Sequence, residues 1–435
     1  MPMRLVRIFA QAWRLLKESP VLGTISILGT ALAIGMVTIT VAAKRLIPEG
    51  DFYPAFKRQR MLYYKYAVTE PTDTTAAGGN YTAGRLGYPL ASAIASVPAA
   101  EMATIHEVYT AGVEFLLPGE EDAEASQGRV RSVDIPFWQI YDFDFVHGTP
   151  FTPEEERSAA RVIVLAQSLS QELFGSQDPV GREVLMQYIP YRVVGVVRDV
   201  SGYLTELAAN AWIPLSIFHN AERDMDVHGD LQVDFLAASA SDFPAIREQV
   251  LRKLQEFSTT LDGEEIVPYG QPEPLRAALA RGGWMIEPPD LAHLNLIFYV
   301  TVLILLLVPG INLVALSYAR MRRRLQELGV RRAFGATMTD LLKQIVGESL
   351  FFTLIGAALG VLLMVATAYL LKNVLFIKEM GDIELEFTLP LSALLSWRVV
   401  LVAVGFSLLL NLLSMLLPAW RLIRRDIVGS LNAKR

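Results

Sequence analysis

Four stretches of this chain are continuously apolar, and the long segment after the first of them has a different period. Val21 to Ala43, Leu294 to Ala319, Ser349 to Leu371 and Val399 to Trp420 each run without Asp, Glu, Lys or Arg. About 20 such residues in a helix cross the ~30 Å hydrocarbon core of a bilayer, so the pattern predicts four membrane-spanning helices. The first run ends in Val41-Ala42-Ala43, small residues suited to a cleavage site. Its apolar stretch is too long for a signal peptide, and it is expected to remain as an anchor. Ahead of it, Leu5, Ile8, Phe9, Ala12, Trp13 and Leu16 recur at helical spacing with Arg4, Arg7, Arg14 and Lys17 between them. This predicts an amphipathic helix over 1–20 at the inner membrane surface; a continuous extension of the first span fits the same pattern.

Between the first and second runs, strand-like and helix-like stretches alternate, which predicts a mixed α and β domain over 44–293. Near its start come a strand at Met61 to Val68, a helix at Leu90 to Ser96 and a strand at Thr104 to Leu117. Near its end the order returns, with a strand at Leu231 to Ala237, a helix at Phe243 to Phe257 and a strand at Gly263 to Val267. Two such units flanking a middle block predict a split β-α-β subdomain over 44–117 and 216–293, with 118–215 inserted as a second subdomain. Within that block, Arg161 to Leu165 and Tyr191 to Arg198 read as buried strands, and Thr72 to Gly84 reads as a mobile loop. The predicted fold class is therefore an integral membrane protein: four transmembrane α-helices, with a large α+β extracytoplasmic domain inserted between the first and second. The remaining segments are a loop at 320–348, a short external loop at 372–398 and a tail at 421–435.

Charge sets the orientation. Of 435 residues, 52% are hydrophobic and 19% charged, and the net charge of −6 hides two regions of opposite sign. The N-terminal flank, the 320–348 loop and the tail together carry 16 positive and five negative residues, while 44–293 carries 20 positive and 36 negative, a net of −16. Positive flanks stay in the cytoplasm, so both chain ends and the 320–348 loop are expected inside, with the acidic domain outside. There is no Cys, so that domain is expected to rest on its own core without disulfides.

The search for reactive chemistry is mostly negative. No phosphate-binding Gly-x-x-x-x-Gly-Lys-Ser/Thr loop, Gly-x-Ser-x-Gly elbow or His-Glu-x-x-His motif occurs, and the five histidines do not pair at metal-ligand spacing. Asp224-x-Asp226-x-His228-Gly229 opens like a calcium loop, but its twelfth position is Phe235 where a carboxylate is needed. The spans hold no ionisable residue, which argues against a proton-coupled carrier, voltage sensor or ion pore. In the third span, Gly356-x-x-x-Gly360 allows another helix to approach closely, either within the chain or from a second copy. Arg320 to Glu348 stands out as a basic loop with small residues around Gly329 and Gly335-Ala336, suited to docking against a partner.

That loop carries a resemblance. Glu327-Leu328-Gly329-Val330-Arg331-Arg332-Ala333-Phe334-Gly335-Ala336 resembles the signature of the FtsX-like ABC transporter permeases, with Leu328, Val330 and Phe334 as conservative departures. The ending Pro418-Ala419-Trp420-Arg421 is similar to the way those permeases close, placing an FtsX-like permease domain at 294–425. The external segment is similar to the MacB-like periplasmic core domain, through Val133 to Trp138, Asp142 to Phe145, Gly148 to Phe151, Phe174-Gly175, Pro179 to Gly181 and Tyr191 to Val196. The resemblance implies a non-catalytic permease of the type VII ABC superfamily, in the bacterial inner membrane with its large domain periplasmic. It would couple ATP hydrolysis by a separate cytoplasmic ATPase to movement of that domain. It implies no cofactor on this chain, with ATP and Mg on the ATPase, since no fused ATPase segment is present in the sequence. The ATPase contact would fall on Glu327, Gly329, Arg331, Arg332, Ala333, Gly335 and Ala336. Expected partners are the ABC ATPase, a second permease as homodimer or heterodimer, a periplasmic adaptor or outer membrane channel, and membrane lipid, with no nucleic acid. The implied function is export of peptides, drugs or lipoproteins from the periplasmic side. The alternatives are an FtsX-like activator of a cell-wall hydrolase and a non-transporting membrane sensor or scaffold.

Overall fold

A computed structural model describes residues 56–72, 81–108, 110–119, 124–200, 206–218, 227–281, 286–305 and 337–370, with interrupted stretches within 20–40 and 401–409 and scattered single positions. The chain forms two compact units. One is Asp51–Leu291 with Lys378–Thr388; the other is Met1–Gly50, Ala292–Ile377 and Leu389–Arg435.

The first unit is α+β. Its N-terminal strands are β1 (Met61–Tyr64), β2 (Ala67–Pro71) and β3 (Thr82–Leu86), followed by helix α1 (Tyr88–Ala95) and strands β4 (Met102–Glu107) and β5 (Thr110–Leu116). The stretch predicted as one strand at Met61 to Val68 is broken at Lys65-Tyr66, because both amide N–H groups donate to the Gln271 side-chain oxygen at 2.7 and 3.1 Å. The single strand predicted at Thr104 to Leu117 is likewise two strands, since Ile105 packs into one core and Val113 and Phe115 into another. Thr82–Leu86 pairs as a strand where a loop was expected, and 73–80 lies outside the described residues.

The middle of the unit holds β6 (Ser126–Val133), α2 (Ile135–Ile140), β7 (Phe145–Gly148), α3 (Pro153–Arg157), β8 (Val162–Ala166), α4 (Gln167–Phe174), β9 (Glu183–Met186), β10 (Ile189–Val197) and β11 (Ala211–Pro214). It closes with β12 (His228–Gly229), β13 (Leu231–Leu236), α5 (Phe243–Ser258), β14 (Glu264–Ile266), β15 (Glu273–Pro274) and α6 (Leu275–Ala280). The described strands form one continuous hydrogen-bonded network, in the order β11-β8-β10-β9-β5-β6-β4-β13-β3-β2-β14, with β1 pairing β13 and β15 off that path. β8 and β10 run parallel, as do β6 and β11; the other pairings are antiparallel.

Two apolar cores lie along this network. The first is built from Leu62, Leu86, Val233 and Phe235 of the strands, covered by Leu90 and Ile94 of α1 and by Ile246, Val250 and Leu254 of α5. Those three α5 residues recur every fourth position, so one face of the helix is buried while Glu248 and Arg252 point to solvent. The second core gathers Phe115, Val130, Ile163, Leu165, Leu169, Val184, Tyr191, Val193 and Ile213. At its edge β7 crosses β10 at two glycines. A Cβ on Gly148, whose φ is +65°, would lie 2.1 Å from the Val194 carbonyl oxygen, and one on Gly195 would lie 2.6 Å from that of Thr149.

The second unit contains helix α7 (Met338–Leu370), whose window Leu350–Thr367 has a mean hydropathy of 2.4. Among the described residues it is the one helix long and apolar enough to cross a membrane; Gly23–Leu32 and Leu291–Leu305 are shorter apolar helices. The remainder of the predicted spans at 21–43, 294–319 and 399–420, and the 1–19 segment, lie outside the described residues.

Candidate functional site

The candidate site is the turn that leads into α7. Phe334 N–H donates to the Val330 carbonyl at 3.1 Å, closing a single helical turn. Gly335 follows with φ +90°, a conformation that favours glycine, and α7 begins at Met338. Phe334 is 88% exposed and Val330 45%, so one apolar residue stands out from its own chain and a second is partly open beside it, on a segment rich in arginine. Of the residues expected to contact an ATPase, Gly335 is described, exposed and open around its Cα. Glu327, Gly329, Arg331, Arg332, Ala333 and Ala336 lie outside the described residues. Sequence reasoning passed over Phe334 as a mere substitute for another apolar residue. Its signal was an aromatic side chain set among arginines and glycines.

The third predicted span meets residues of the first. A Cβ on Gly356 would lie 2.7 Å from the Thr30 Cβ and 3.1 Å from the Ile27 carbonyl oxygen, and one on Gly35 would lie 3.4 Å from the Gly360 carbonyl oxygen. Gly356 and Gly360 therefore face a helix of the same chain, and Thr30 and Thr353 are fully buried. Such close backbone approach gains dispersion contacts where lipid offers no hydrophobic drive.

In the α+β unit, a polar layer is buried against one face of β1, β13, β4 and β6. Asp234 accepts a hydrogen bond from the Tyr141 hydroxyl at 2.5 Å and lies 2.7 Å from His106 Nε2. Gln232 donates to Asp234 at 3.2 Å and accepts from Arg85 at 3.1 Å. Arg131 donates to the Glu107 carbonyl at 2.6 Å, and the Ser132 hydroxyl donates to the Glu107 carboxylate at 2.7 Å. Burial, reinforced by Asp234, pushes the Tyr141 hydroxyl well above its usual range, and burial lowers Arg131 to about 10. Burial opposes ionisation of Glu206 as well, but Lys65 at 2.8 Å, with Arg85 and Arg131, outweighs it and holds that carboxyl at about 2. His106, Arg131 and Asp234 are fully buried, so these three present no reacting group to a substrate; the layer ties together β4, β6 and β13. Among the described residues no group of three His, Asp or Glu side chains is arranged to hold a metal. His228 of the acidic stretch sits on β12 beside Thr69, and 219–226 lies outside the described residues.

Comparison with known proteins gives two matches along the chain. Residues 24–253 match the MacB-like periplasmic core domain, and residues 299–427 match the FtsX-like permease C-terminal domain. The pyoverdine export ATP-binding/permease protein PvdT of Pseudomonas syringae pv. syringae is 23% identical over 426 residues, covering 97% of this chain and 59% of that protein. The ABC transporter permease YknZ of Bacillus subtilis is 24% identical over 314 residues, covering 72% of this chain and 71% of that one. The macrolide export ATP-binding/permease protein MacB 2 of Aeromonas hydrophila is 25% identical over 312 residues, 71% of this chain and 44% of that protein. The chain thus spans about three fifths, or less, of the export ATP-binding/permease relatives. Among solved structures, the extracellular domain of YknZ covers 48% of this chain at 13% identity with a TM-score of 0.34.

Proposed function

The chain belongs to the MacB-like periplasmic core domain family, with an FtsX-like permease segment following that domain, and on this premise we propose that it is the force-transmitting permease subunit of an ATP-driven exporter. It is an ABC transporter permease of the inner membrane with a large periplasmic domain. In the proposed reading, a separate cytoplasmic ATPase binds ATP and Mg, and its dimerisation moves the turn at Val330 to Gly335. That motion passes through the spans to the periplasmic domain, which works on peptides, drugs or lipoproteins outside the membrane. A second permease completes the assembly, and a periplasmic adaptor or outer membrane channel would receive the cargo. The chain itself performs no catalysis in this scheme.

The observation that carries the reading is Phe334. An aromatic side chain left 88% exposed is a poor choice for a solvated loop and a good anchor for a pocket in a partner. It stands four residues before a 33-residue helix, so a push on the turn is delivered to a stiff rod that contains an apolar, span-length window. The spans carry no charged group that would bind or sense a moving ion, which agrees with a mechanical role. Arg331 and Arg332 supply donors for acidic groups on the same partner.

The test is co-purification from detergent-solubilised membranes. The wild-type chain brings down an ATPase whose activity it stimulates. Phe334→Ala weakens that association by about tenfold or more, the loss usual for a central aromatic anchor, and Arg332→Glu also weakens it. If both variants retain the ATPase and its stimulated activity, the assignment of this turn is wrong.

A further inference from the structure

The periplasmic unit receives the chain at β1 and releases it after β15, and those two strands pair with each other. β1 and β15 are antiparallel, with Leu62 opposite Pro274 and Tyr63 opposite Glu273. The incoming end of β1 and the outgoing end of β15 therefore lie at the same end of the ladder. Load applied between them peels the pairs open one at a time. A ladder two residues deep resists peeling poorly, since each backbone hydrogen bond adds little net stability once water can replace it.

Side chains reinforce this joint. Arg281, just after α6, grips both oxygens of Glu273 at 2.7 and 2.9 Å, with both side chains almost wholly buried. The same guanidinium donates to the Tyr269 carbonyl at 2.9 Å and to the Ile286 carbonyl. One side chain thus ties residues on both sides of β15 and α6 into a closed knot, five residues before the helix Leu291–Leu305 begins. On the β1 side, Gln271 holds the backbone of Lys65 and Tyr66 from both ends of its amide, and Lys65 Nζ reaches the Ala278 carbonyl at 3.3 Å.

We propose that Arg281 is the positioning residue of a mechanical joint, converting a joint that would peel into one in which the incoming and outgoing segments are loaded together. Load arriving beyond Ile286 passes through Arg281 to Glu273 and across the ladder to β1, which hands it to β13 in the middle of the sheet. This rests on the reading that the chain transmits force, and it names the residue through which the periplasmic unit takes that force up.

The experiment pulls on the full-length protein in nanodiscs. The chain has no Cys, so Lys57→Cys and Glu287→Cys give unique attachment points on either side of the joint. In Arg281→Met the first extension jump occurs at about half the wild-type force or less, because a buried carboxylate is left unpaired and two carbonyls lose their donor. Arg131→Met removes an equally buried arginine outside the load path and leaves the force of the first jump unchanged. The double change Arg281→Met with Glu273→Met removes the unpaired carboxylate and keeps the melting temperature near wild type, yet the first jump stays weak because Tyr269 and Ile286 remain untied. An unchanged first jump in Arg281→Met, an equal drop in Arg131→Met, or recovery of the wild-type force in the double variant would overturn the joint. Failure of ATPase co-purification would instead remove the source of the load, so the two failures are told apart.

Discussion

Gly148 and Asp134 lie in two of the short runs that resemble the periplasmic core domain, and each has a physical reason to be what it is. At Gly148 any side chain would overlap the Val194 carbonyl at 2.1 Å on a residue already in the left-handed region. Gly148→Ala is therefore expected to cost about 3 kcal/mol, the scale of overpacking combined with backbone strain, and a urea titration of the full chain would register it as a lower midpoint. Asp134 caps α2, accepting from Phe137 N at 3.1 Å, and also accepts from Thr104 Oγ1 at 2.6 Å and Ile105 N at 2.7 Å. Burial nevertheless dominates and raises its carboxyl from 3.8 to about 7. A folded-state value above the unfolded one means the folded protein holds the proton more tightly. Its stabilising contribution is complete below about pH 4 and is lost as pH rises through 7. Melting temperatures measured across that window should fall with pH in the wild type, and the slope should flatten in Asp134→Asn; equal slopes would refute the assignment.

At the scale of single elements, what could be read from the sequence depended on which periodicities stay local. α5 was legible because its apolar positions repeat every fourth residue and one face meets solvent. β13 was found as a strand, but its alternation misleads: Leu231-Gln232-Val233-Asp234-Phe235-Leu236 reads as one dry face and one wet face, and all six residues are buried. Gln232 and Asp234 are satisfied by Tyr141, His106 and Arg85, which come from 93, 128 and 147 residues away in the chain, so no local window could reveal the polar layer. The break at Lys65-Tyr66 was invisible for the same reason, because its cause is Gln271. The Gly356-x-x-x-Gly360 pattern left open whether its partner was the same chain or a second copy. With Gly356 against Thr30 and Gly360 against Gly35, the pattern faces residues of its own chain. Gly35→Cys combined with Gly360→Cys should then oxidise to a product that migrates as a monomer, whereas a covalent dimer would mean that the stripe serves a second copy. Gly356→Leu should lower the melting temperature in detergent, because separating the two helices forfeits their backbone contact.

Across the whole molecule, the division of labour was the part most open to sequence reasoning, because hydropathy and charge act over long segments and survive ignorance of packing. The net of −16 over 44–293 against 16 positive and five negative residues in the other three segments is a topological statement before it is a functional one. In the proposed reading it also assigns each half of the mechanism to one side of the membrane. In that reading Phe334 meets the ATPase from the cytoplasm, and Arg281 takes up load outside it. A chain without cysteine makes this directly measurable. A single Glu172→Cys on the exposed surface of α4 should react with a membrane-impermeant maleimide in spheroplasts, while a single Lys434→Cys should react only after lysis. Labelling of Lys434→Cys in intact spheroplasts would place the basic segments outside, and the proposed coupling to a cytoplasmic ATPase would fall with them. The reverse pattern at Glu172→Cys would do the same for the periplasmic unit. Because the positive residues are spread over three separate segments, reversing the charge of one alone should leave the labelling unchanged, and only their joint reversal should invert it.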